Sequence, residues 1–320
     1  MTQAVQVSTE VRDAVRDGRP VLALESTILT HGLPRPANEE LALETEERVR
    51  AAGVIPATIG LVDGVPTVGL STDELVALSR DDRAVKASLR DVPIAMAKGL
   101  SAGTTVAATA YLAVQAGVRV FSTGGLGGVH RGAAHTFDES ADLGALAELP
   151  LVVVSAGVKS ILDIGLTLER LETLGLSVVG YGTTDYPGFY VADSGFDIEY
   201  AVGSPDEVAR IATARDALGV RSTLLVANPV PAELQLSPEL HDRVLAEALA
   251  AADSQGVHGH DSTPFLLDYF TKSTGGESMA ANLVAYRGNV DLGAQVALAL
   301  QALSGPNVTE ASSTAGASAR

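Results

Sequence analysis

The sequence predicts an α/β protein of three layers, α/β/α, in which helices cover both faces of a mixed, largely parallel central sheet. Short apolar runs alternate with segments of helical periodicity through about the first 230 residues, as strands alternate with crossover helices. Most of these runs meet Gly, Ser, Thr, Asn or Pro within a residue or two, as strands do where they enter loops. Hydrophobic residues make up 46% of the chain and aromatic residues only 4%, which favours small side chains packed tightly between helices and sheet.

Five short apolar runs are predicted to be strands of this sheet. They span 21–24, 118–121, 151–154, 177–181 and 223–227. A further pair of extended segments, 54–59 and 67–68, is interrupted by Asp63-Gly64, a dipeptide typical of hairpin turns. Because a hairpin pairs its strands antiparallel, the sheet is expected to be mixed.

Two of the helices are indicated by the residues at their starts. Ser71 with Glu74 and Ser204 with Glu207 both fit a capping box, in which the first side chain caps the helix and the second reaches back. Pro205 would occupy the first helical position of the second helix, where its missing N–H costs nothing.

The rest of the chain indicates one domain. Apolar residues at helical spacing predict a helix over 164–174 that ends before Gly175, and the chain from 238 to 304 is predicted to be mainly helical. The sequence has no internal repeat and no linker, so residues 1–304 are expected to form a single domain. Residues 305–320 lack periodicity and are rich in Ser, Thr, Ala and Gly, which predicts a disordered tail.

The composition excludes several classes of function. The 22 basic and 39 acidic side chains give a net charge of −17, which argues against a nucleic-acid partner and leaves any anionic ligand dependent on a local cluster of donors. Without cysteine there is no disulfide, thiolate metal site or cysteine nucleophile, which fits a cytoplasmic protein. We expect no membrane partner, because no stretch approaches the roughly 20 apolar residues of a spanning helix and Glu10, Arg12 and Asp13 replace an apolar signal segment.

Polar residues that a plain scaffold would not need follow the first predicted strand. Glu25 comes at its end, and Ser26, Thr27 and His31 follow. In open α/β sheets the carboxyl ends of the strands border the ligand crevice, so Glu25 is expected to face a site. The alternative is a strand-end carboxylate that lies in solvent or caps a helix.

A Gly-rich segment over 122–132 follows another predicted strand. Its glycines would let backbone N–H groups approach a ligand, and His130 and Arg131 add donors. The segment is not a dinucleotide fingerprint, because His130 stands where the third Gly belongs, and it is not a P-loop. It predicts binding of a small phosphate or sugar; the alternative is a structural turn. Elsewhere, Lys86 and Arg90 stand four residues apart and could either clamp a phosphate or form a charged surface turn.

Two acidic residues after this segment could hold a metal ion. Asp138 and Asp142 offer the oxygen ligands that Mg²⁺ and Mn²⁺ prefer, and would share one face if the segment were helical. Acidic residues near a helix start are as often caps or dipole partners, so the residues alone leave a metal site undecided. His258 and His260 lack a third partner, which is typical of a loop.

Lys159 lies one short loop beyond the most apolar predicted strand. Apolar walls favour the neutral, nucleophilic form of a lysine amine. The alternative is a lysine that extends along its own stem to the surface.

Taken together, these segments resemble one known family. The blocks that carry the resemblance are ALESTILTHG at 23–32, PATI at 56–59, GTTVAAT at 103–109, the run 124–142, AGVKSILD at 156–163, TPFLL at 263–267, and Asn282. They closely resemble the pseudouridine-5′-phosphate glycosidases, a family that includes the proteins once called indigoidine synthase A. The resemblance covers roughly residues 5 to 303.

The resemblance implies a reversible, metal-dependent C-glycosidase that cleaves pseudouridine 5′-phosphate to uracil and ribose 5-phosphate. It implies that Lys159 is the nucleophile, which opens the ribose ring and forms an imine with C1′, that Glu25 is the proton donor, and that Asp138 is the ligand of Mn²⁺ or another divalent cation. The positions that match substrate-binding residues are Lys86, Val106, Ser140, Ala141 and Asp142.

Further expectations accompany this resemblance. We add His130 and Arg131 as candidates for the phosphate and Asn282 for the uracil. The resemblance also implies a homotrimer acting on small molecules of nucleobase catabolism. The chemistry is sensible, because a C-glycosidic bond has no leaving-group heteroatom to protonate and an imine at C1′ supplies an electron sink.

Three positions depart from the family pattern. Leu89 stands where Arg is expected, so phosphate contact would depend more on Lys86 and Arg90; Ser155 replaces a common Cys; and His260 stands where Lys is usual. None removes a residue that the mechanism needs. Two other hypotheses stay open: an imine-forming lyase or aldolase acting on another phosphosugar, and a non-catalytic phosphosugar-binding protein.

Overall fold

A computed structural model describes residues 5–257 and 262–304. Its strands are β1 Gln6–Val7, β2 Val21–Leu24, β3 Ile55–Val62, β4 Val65–Val68, β5 Val85–Ala87, β6 Ala102–Thr104, β7 Val120–Ser122, β8 Val152–Ser155, β9 Ser177–Tyr181, β10 Ala201–Val202 and β11 Leu224–Ala227. Its helices are α1 Thr9–Arg16, α2 Ala37–Ala51, α3 Thr72–Arg80, α4 Val92–Lys98, α5 Val106–Gln115, α6 Ala133–Thr136, α7 Ala141–Leu146, α8 Ile164–Thr173, α9 Pro205–Ala217, α10 Pro238–Ser254, α11 Ser262–Ser273 and α12 Glu277–Ser304. A π-helical turn, Ile28–Gly32, follows β2, and a 3₁₀ turn, Ala232–Leu234, precedes α10.

The strands of the described residues form one sheet in the order β1-β4-β3-β2-β7-β8-β11-β9-β10, and β6 joins β5 to β3. Within that part of the chain the antiparallel pairings are β3 with β4 and β3 with β6. The central strands β2, β7, β8, β11 and β9 pair in parallel, so their carboxyl ends share one edge. The sheet is therefore mixed and largely parallel, as predicted.

Helices cover both faces of the sheet because successive strand residues point to opposite sides. Ala23, Val153 and Leu225 pack in one apolar cluster with α1, α5, α8 and α10. Their strand neighbours Leu22, Val154 and Leu224 pack in a second cluster with α2, α9 and α12. The predicted three-layer α/β/α fold is confirmed. No helix in the two described ranges is long and apolar enough to cross a membrane.

The predicted strands and hairpin are confirmed with small shifts of their ends. The hairpin joins β3 to β4, and Asp63 and Gly64 adopt φ of 47° and 79°, the left-handed pair of a tight hairpin turn. The strands β1, β5, β6 and β10 were not predicted, because two or three residues show no periodicity. The predictions of a disordered tail over 305–320 and of a loop at His258 and His260 lie outside the described residues.

The observed helix caps agree with those predicted from the sequence, except at the start of α9. Ser71 and Glu74 form the predicted capping box at the start of α3. At α9, Ser204 caps Glu207 N–H, but the Glu207 carboxylate accepts the N–H of Gly203 at 2.8 Å rather than that of Ser204. The prediction of a complete box was wrong there.

Candidate active site

A cavity of about 480 Å³ opens at the carboxyl ends of the central strands. Glu25 follows β2, Gly124 and Gly125 follow β7, and Lys159 follows β8; all four line this cavity. The strands bring them together because β2 pairs in parallel with β7 and β7 with β8. Edges of this kind are where open α/β sheets bind ligands.

Lys86 and Asn282 also line the cavity. Lys86 belongs to β5, which pairs with β6 beside β3, and Asn282 belongs to α12. The structure thus gathers residues from β2, β5, β8 and α12 around one space. Arg90 does not join them: its side chain is 82% exposed and lies 3.6 Å from Asp91. Of the two alternatives for this pair, the charged surface turn describes Arg90, while Lys86 lines the cavity.

The glycines after β7 let the chain pass close to its neighbours. A Cβ atom on Gly125 would lie 2.5 Å from Cδ2 and 2.6 Å from Cε2 of Phe189, a buried ring that lines the cavity. Leu126 N–H donates to the carbonyl of Gly157 at 2.9 Å, and Lys159 N–H donates to the carbonyl of Leu126 at 3.1 Å. The Gly-rich segment therefore holds the backbone of Lys159 in place.

Glu25 is held by a network that reaches into α12. The Thr123 hydroxyl donates a short hydrogen bond to the Glu25 carboxylate. The Asn289 amide donates to the carbonyls of Thr123 at 2.9 Å and Gly124 at 3.2 Å, and accepts from the Asn228 amide at 2.9 Å. Asn289 is fully buried, so this network fixes the segment that carries Thr123.

Burial and neighbouring charges shift the pKa values of Glu25 and Lys86 in the cavity. Burial raises the pKa of Glu25, an effect stronger than the opposite influence of Lys159, of the Thr123 hydrogen bond and of Lys86. Partial burial and the neighbouring Lys159 lower the pKa of Lys86, while Asp142 and Glu25 act in the opposite direction. A carboxyl group with a raised pKa keeps its proton closer to neutral pH, as a proton donor requires.

The predicted metal ligand and phosphate candidates lie on the loop beyond the cavity lining. Asp138 is about one-third exposed, and its Oδ2 lies 3.8 Å from Nδ1 of His130. Arg131 donates to the carbonyl of Ser160, the residue after Lys159, at 3.4 Å. Helix α7 begins only at Ala141, so Asp138 does not share a helix face with an acidic partner. No cluster of three or more His, Asp or Glu side chains encloses a metal within residues 5–257 and 262–304.

Asp142 is buried and has a structural bond at each oxygen. It accepts the N–H of Ala107 at 2.9 Å and the N–H of Gly127 at 2.9 Å, and so ties α5 to the Gly-rich segment. Ser140 caps α7 and Ala141 begins it. Val106 is the buried first residue of α5. These predicted substrate-binding positions surround the start of α5 and do not line the cavity itself.

Sequence reasoning missed several contributors to the site. Phe189 lines the cavity, the Thr123 hydroxyl bonds to Glu25, and Asn289 fixes the segment that carries Thr123. Asn289 follows Asn282 by seven residues, two turns of one helix, so the two share a helix face. This spacing could have placed Asn289 near the cavity, but it does not show which atoms Asn289 binds. The contact of Phe189 was not predictable, because its left-handed backbone lies in an aperiodic loop.

A lysine amine and a carboxyl group that face one cavity at the strand ends define an α/β protein with a small-molecule site equipped for amine and acid–base chemistry. The family model of indigoidine synthase A-like proteins matches residues 10–299, and the chain belongs to this family. The resemblance seen in the sequence is confirmed.

Individual relatives agree with the family. A pseudouridine-5′-phosphate glycosidase of Saccharopolyspora erythraea is 63% identical over 294 residues, which cover 92% of this chain and 97% of the relative. A protein of the same name from Escherichia coli is 45% identical over 304 residues, covering 95% and 97% of the two chains.

Two solved structures share the fold. The prealnumycin C-glycosynthase AlnA, solved in complex with ribulose 5-phosphate, has a TM-score of 0.88 and 34% identity, with 95% of this chain and 99% of that chain covered. An indigoidine synthase A-like protein of Thermotoga maritima has a TM-score of 0.84 and 35% identity, with 94% and 98% covered.

Proposed function

We propose that this chain is a pseudouridine-5′-phosphate glycosidase, which converts pseudouridine 5′-phosphate and water to uracil and ribose 5-phosphate. The observation that carries the proposal is the meeting of Glu25, Lys86 and Lys159 around one cavity. The names of the relatives from S. erythraea and E. coli support the same substrate. The ribulose 5-phosphate held by AlnA supports a pentose phosphate ligand.

In the proposed reaction the neutral Lys159 amine attacks C1′ while the C1′–O4′ bond breaks. Glu25 gives its proton to O4′ and regains one from the new ammonium group. It then gives a proton to C5 of the base, the electron pair of the C1′–C5 bond stays with the uracil, and the nitrogen lone pair forms C1′=N. Water hydrolyses this imine and releases ribose 5-phosphate.

The phosphate is proposed to lie between Lys86 and the start of α5. Helix N-termini offer N–H groups to anions; here Val106 is the first helical residue, and the Ala107 N–H is already bonded to Asp142. The buried Thr105 hydroxyl beside Val106 has no hydrogen-bond partner in the described parts of the chain. His130, Arg131 and the segment Ser140–Asp142 are proposed to complete the site around the ribose phosphate.

A divalent cation, Mn²⁺ by preference, is proposed to bind at Asp138. The partly exposed carboxylate fits an ion held by one protein ligand, with water and substrate oxygens in the other positions. When bound, such an ion orients and polarises the substrate. We expect chelation to abolish activity and Asp138→Ala to weaken its metal dependence.

We further propose that the active form is a homotrimer in the cytoplasm. Exposed apolar side chains such as Tyr200 and Leu218 support an interface between copies, and the cysteine-free sequence fits a reducing compartment. Light scattering of the purified chain tests the trimer, and fractionation of the source cells tests the location.

The decisive experiment measures uracil release from pseudouridine 5′-phosphate, with Mn²⁺ and with chelator, for wild type and Lys159→Ala. Lys98→Ala, an exposed lysine at the end of α4, is the matched control. We expect metal-dependent release that only Lys159→Ala abolishes, and a covalent ribose 5-phosphate adduct in wild type after borohydride reduction.

Other outcomes would contradict the proposal. A folded, metal-loaded wild type that turns over a simple sugar phosphate but releases no uracil would point to an aldolase-like enzyme. Tight binding of pseudouridine 5′-phosphate without turnover would point to a phosphosugar-binding protein.

A further inference from the structure

The cavity contains an acceptor that the protein leaves unpaired. Oδ1 of Asn282 is buried and has no hydrogen-bond partner among the described residues. It lies beside Gly124, where a Cβ atom would approach it to 3.3 Å. A buried acceptor without a partner is costly unless a ligand supplies the donor.

His31 presents a second acceptor to the same cavity. It lies in the π-helical turn Ile28–Gly32, and π-helical geometry is rare and frequent at functional sites. The turn packs against Gly103, where a Cβ atom would collide with Thr30 and approach the carbonyl of Ser26 to 2.9 Å. The absence of a side chain at Gly103 therefore allows the position of Thr30.

Thr30 determines which nitrogen of His31 is free. The Thr30 hydroxyl has one proton and donates it to the carbonyl of Ser26 at 3.2 Å, as helical Thr residues do. Nδ1 of His31 lies 2.7 Å from this hydroxyl oxygen, and because the hydroxyl proton is assigned to the carbonyl of Ser26, the proton between them is assigned to Nδ1. This tautomer leaves Nε2 of His31 with a lone pair and without a partner in the described ranges.

The ring of His31 is expected to stay neutral at physiological pH. Burial and the positive charge of Lys86 both lower the pKa of His31 from its ordinary value. A neutral imidazole with Nδ1 protonated accepts a hydrogen bond at Nε2.

The base of a C-linked uridine has two free ring N–H groups, N1–H and N3–H, whereas an N-linked uridine has only N3–H. We propose that His31 and Asn282 each accept one of these two N–H groups, so that the pair selects the C-linked base. The inference rests on the proposed function and assigns the base-recognition end of the same cavity. An N-linked nucleotide would place a C–H group against one acceptor and leave it unpaired.

The first test runs the reaction in the direction of synthesis, from ribose 5-phosphate with uracil, 1-methyluracil or 3-methyluracil. Wild type should reject both methylated bases. His31→Leu should lose discrimination against one of them by at least about fivefold, and Asn282→Leu against the other. His31→Gln, whose amide oxygen can reach the position of Nε2, should restore part of the discrimination. The proposal would be overturned if His31→Leu rejected both methylated bases as wild type does. It would also be overturned if His31→Leu and Asn282→Leu came to accept the same methylated base.

The second test measures binding without turnover, in the Lys159→Ala background. Adding His31→Leu should weaken the affinity for pseudouridine 5′-phosphate by at least about fivefold and leave the affinity for ribose 5-phosphate, which has no base, unchanged. Equal loss for both ligands, or loss for neither, would contradict base recognition by His31. Because this readout needs no catalysis, it separates failure of the inference from failure of the proposed reaction.

Discussion

As the proposed proton donor, Glu25 must meet two demands that conflict in water but not in this cavity. A proton donor must keep its proton near neutral pH, yet it must stay close to the positive charges that hold an anionic substrate. Burial raises the pKa of Glu25, while Lys159, Thr123 and Lys86 limit that rise. The group therefore stays acidic enough to give up the proton and protected enough to retain it.

The raised pKa of Glu25 predicts a pH-dependent cost in stability. The folded-state pKa lies above the ordinary value of 4.5, so the carboxyl group favours the folded state below that pH, and this contribution is lost as the pH rises through the folded-state pKa. Glu25→Gln should melt near the wild-type temperature at pH 4 and above it at pH 8, by a few degrees. Thermal melts across this range check it, with the exposed Glu148→Gln as control. The expectation would be contradicted if the difference in melting temperature between wild type and Glu25→Gln were the same at pH 4 and pH 8.

Individual residues were predictable where they follow an apolar run. Glu25 and Lys159 could be placed at a shared edge because Glu25 directly follows one strand of the parallel sheet and Lys159 lies one short loop beyond another. His31 was visible in the sequence but received no role, because its orientation depends on a π-helical turn that no periodicity signals. Asn289 was missed because its bonds join α12 to the segment after β7, 166 residues away in the chain.

Among the elements, α5 and the Gly-rich segment depend on one buried carboxylate. Asp142 bonds to Ala107 N–H and Gly127 N–H, 35 and 15 residues away. Short-range sequence patterns cannot show such contacts: the residues alone indicated a helix cap or a metal ligand, and the family resemblance implied a substrate-binding position. The structure assigns both of its oxygens to the backbone.

Asp142→Ala is predicted to destabilise the fold. Each of the two N–H groups would lose its acceptor in a buried environment, at about 1–3 kcal/mol each. Chemical denaturation should show this loss, whereas the exposed Asp73→Ala at the start of α3 should cost far less. Asp142→Asn keeps one oxygen and should fall between them. If Asp142→Ala unfolds at the wild-type denaturant concentration, the bonds to α5 and the Gly-rich segment contribute little.

At the scale of the whole molecule, the sequence predicts the layers because each central strand supplies residues to both faces. The strand Val21–Leu24 is apolar at every position, and alternate residues enter opposite clusters. Runs of this kind are typical of parallel strands covered on both sides. The order of the strands was not predictable, because β3 pairs in parallel with β2 through its first half and antiparallel with β4 through its second.

The net charge of −17 opposes an anionic substrate, whereas the Lys86 ammonium group in the cavity attracts it at short range. The screening length falls from about 30 Å at 0.01 M salt to about 8 Å at 0.15 M. Salt should therefore weaken the long-range repulsion more than the attraction inside the cavity. We expect kcat/KM for pseudouridine 5′-phosphate to hold steady or rise by about twofold over this range, with pseudouridine, which has no phosphate, as the unresponsive control. A steep fall with salt would mean that surface cations guide the substrate to the cavity.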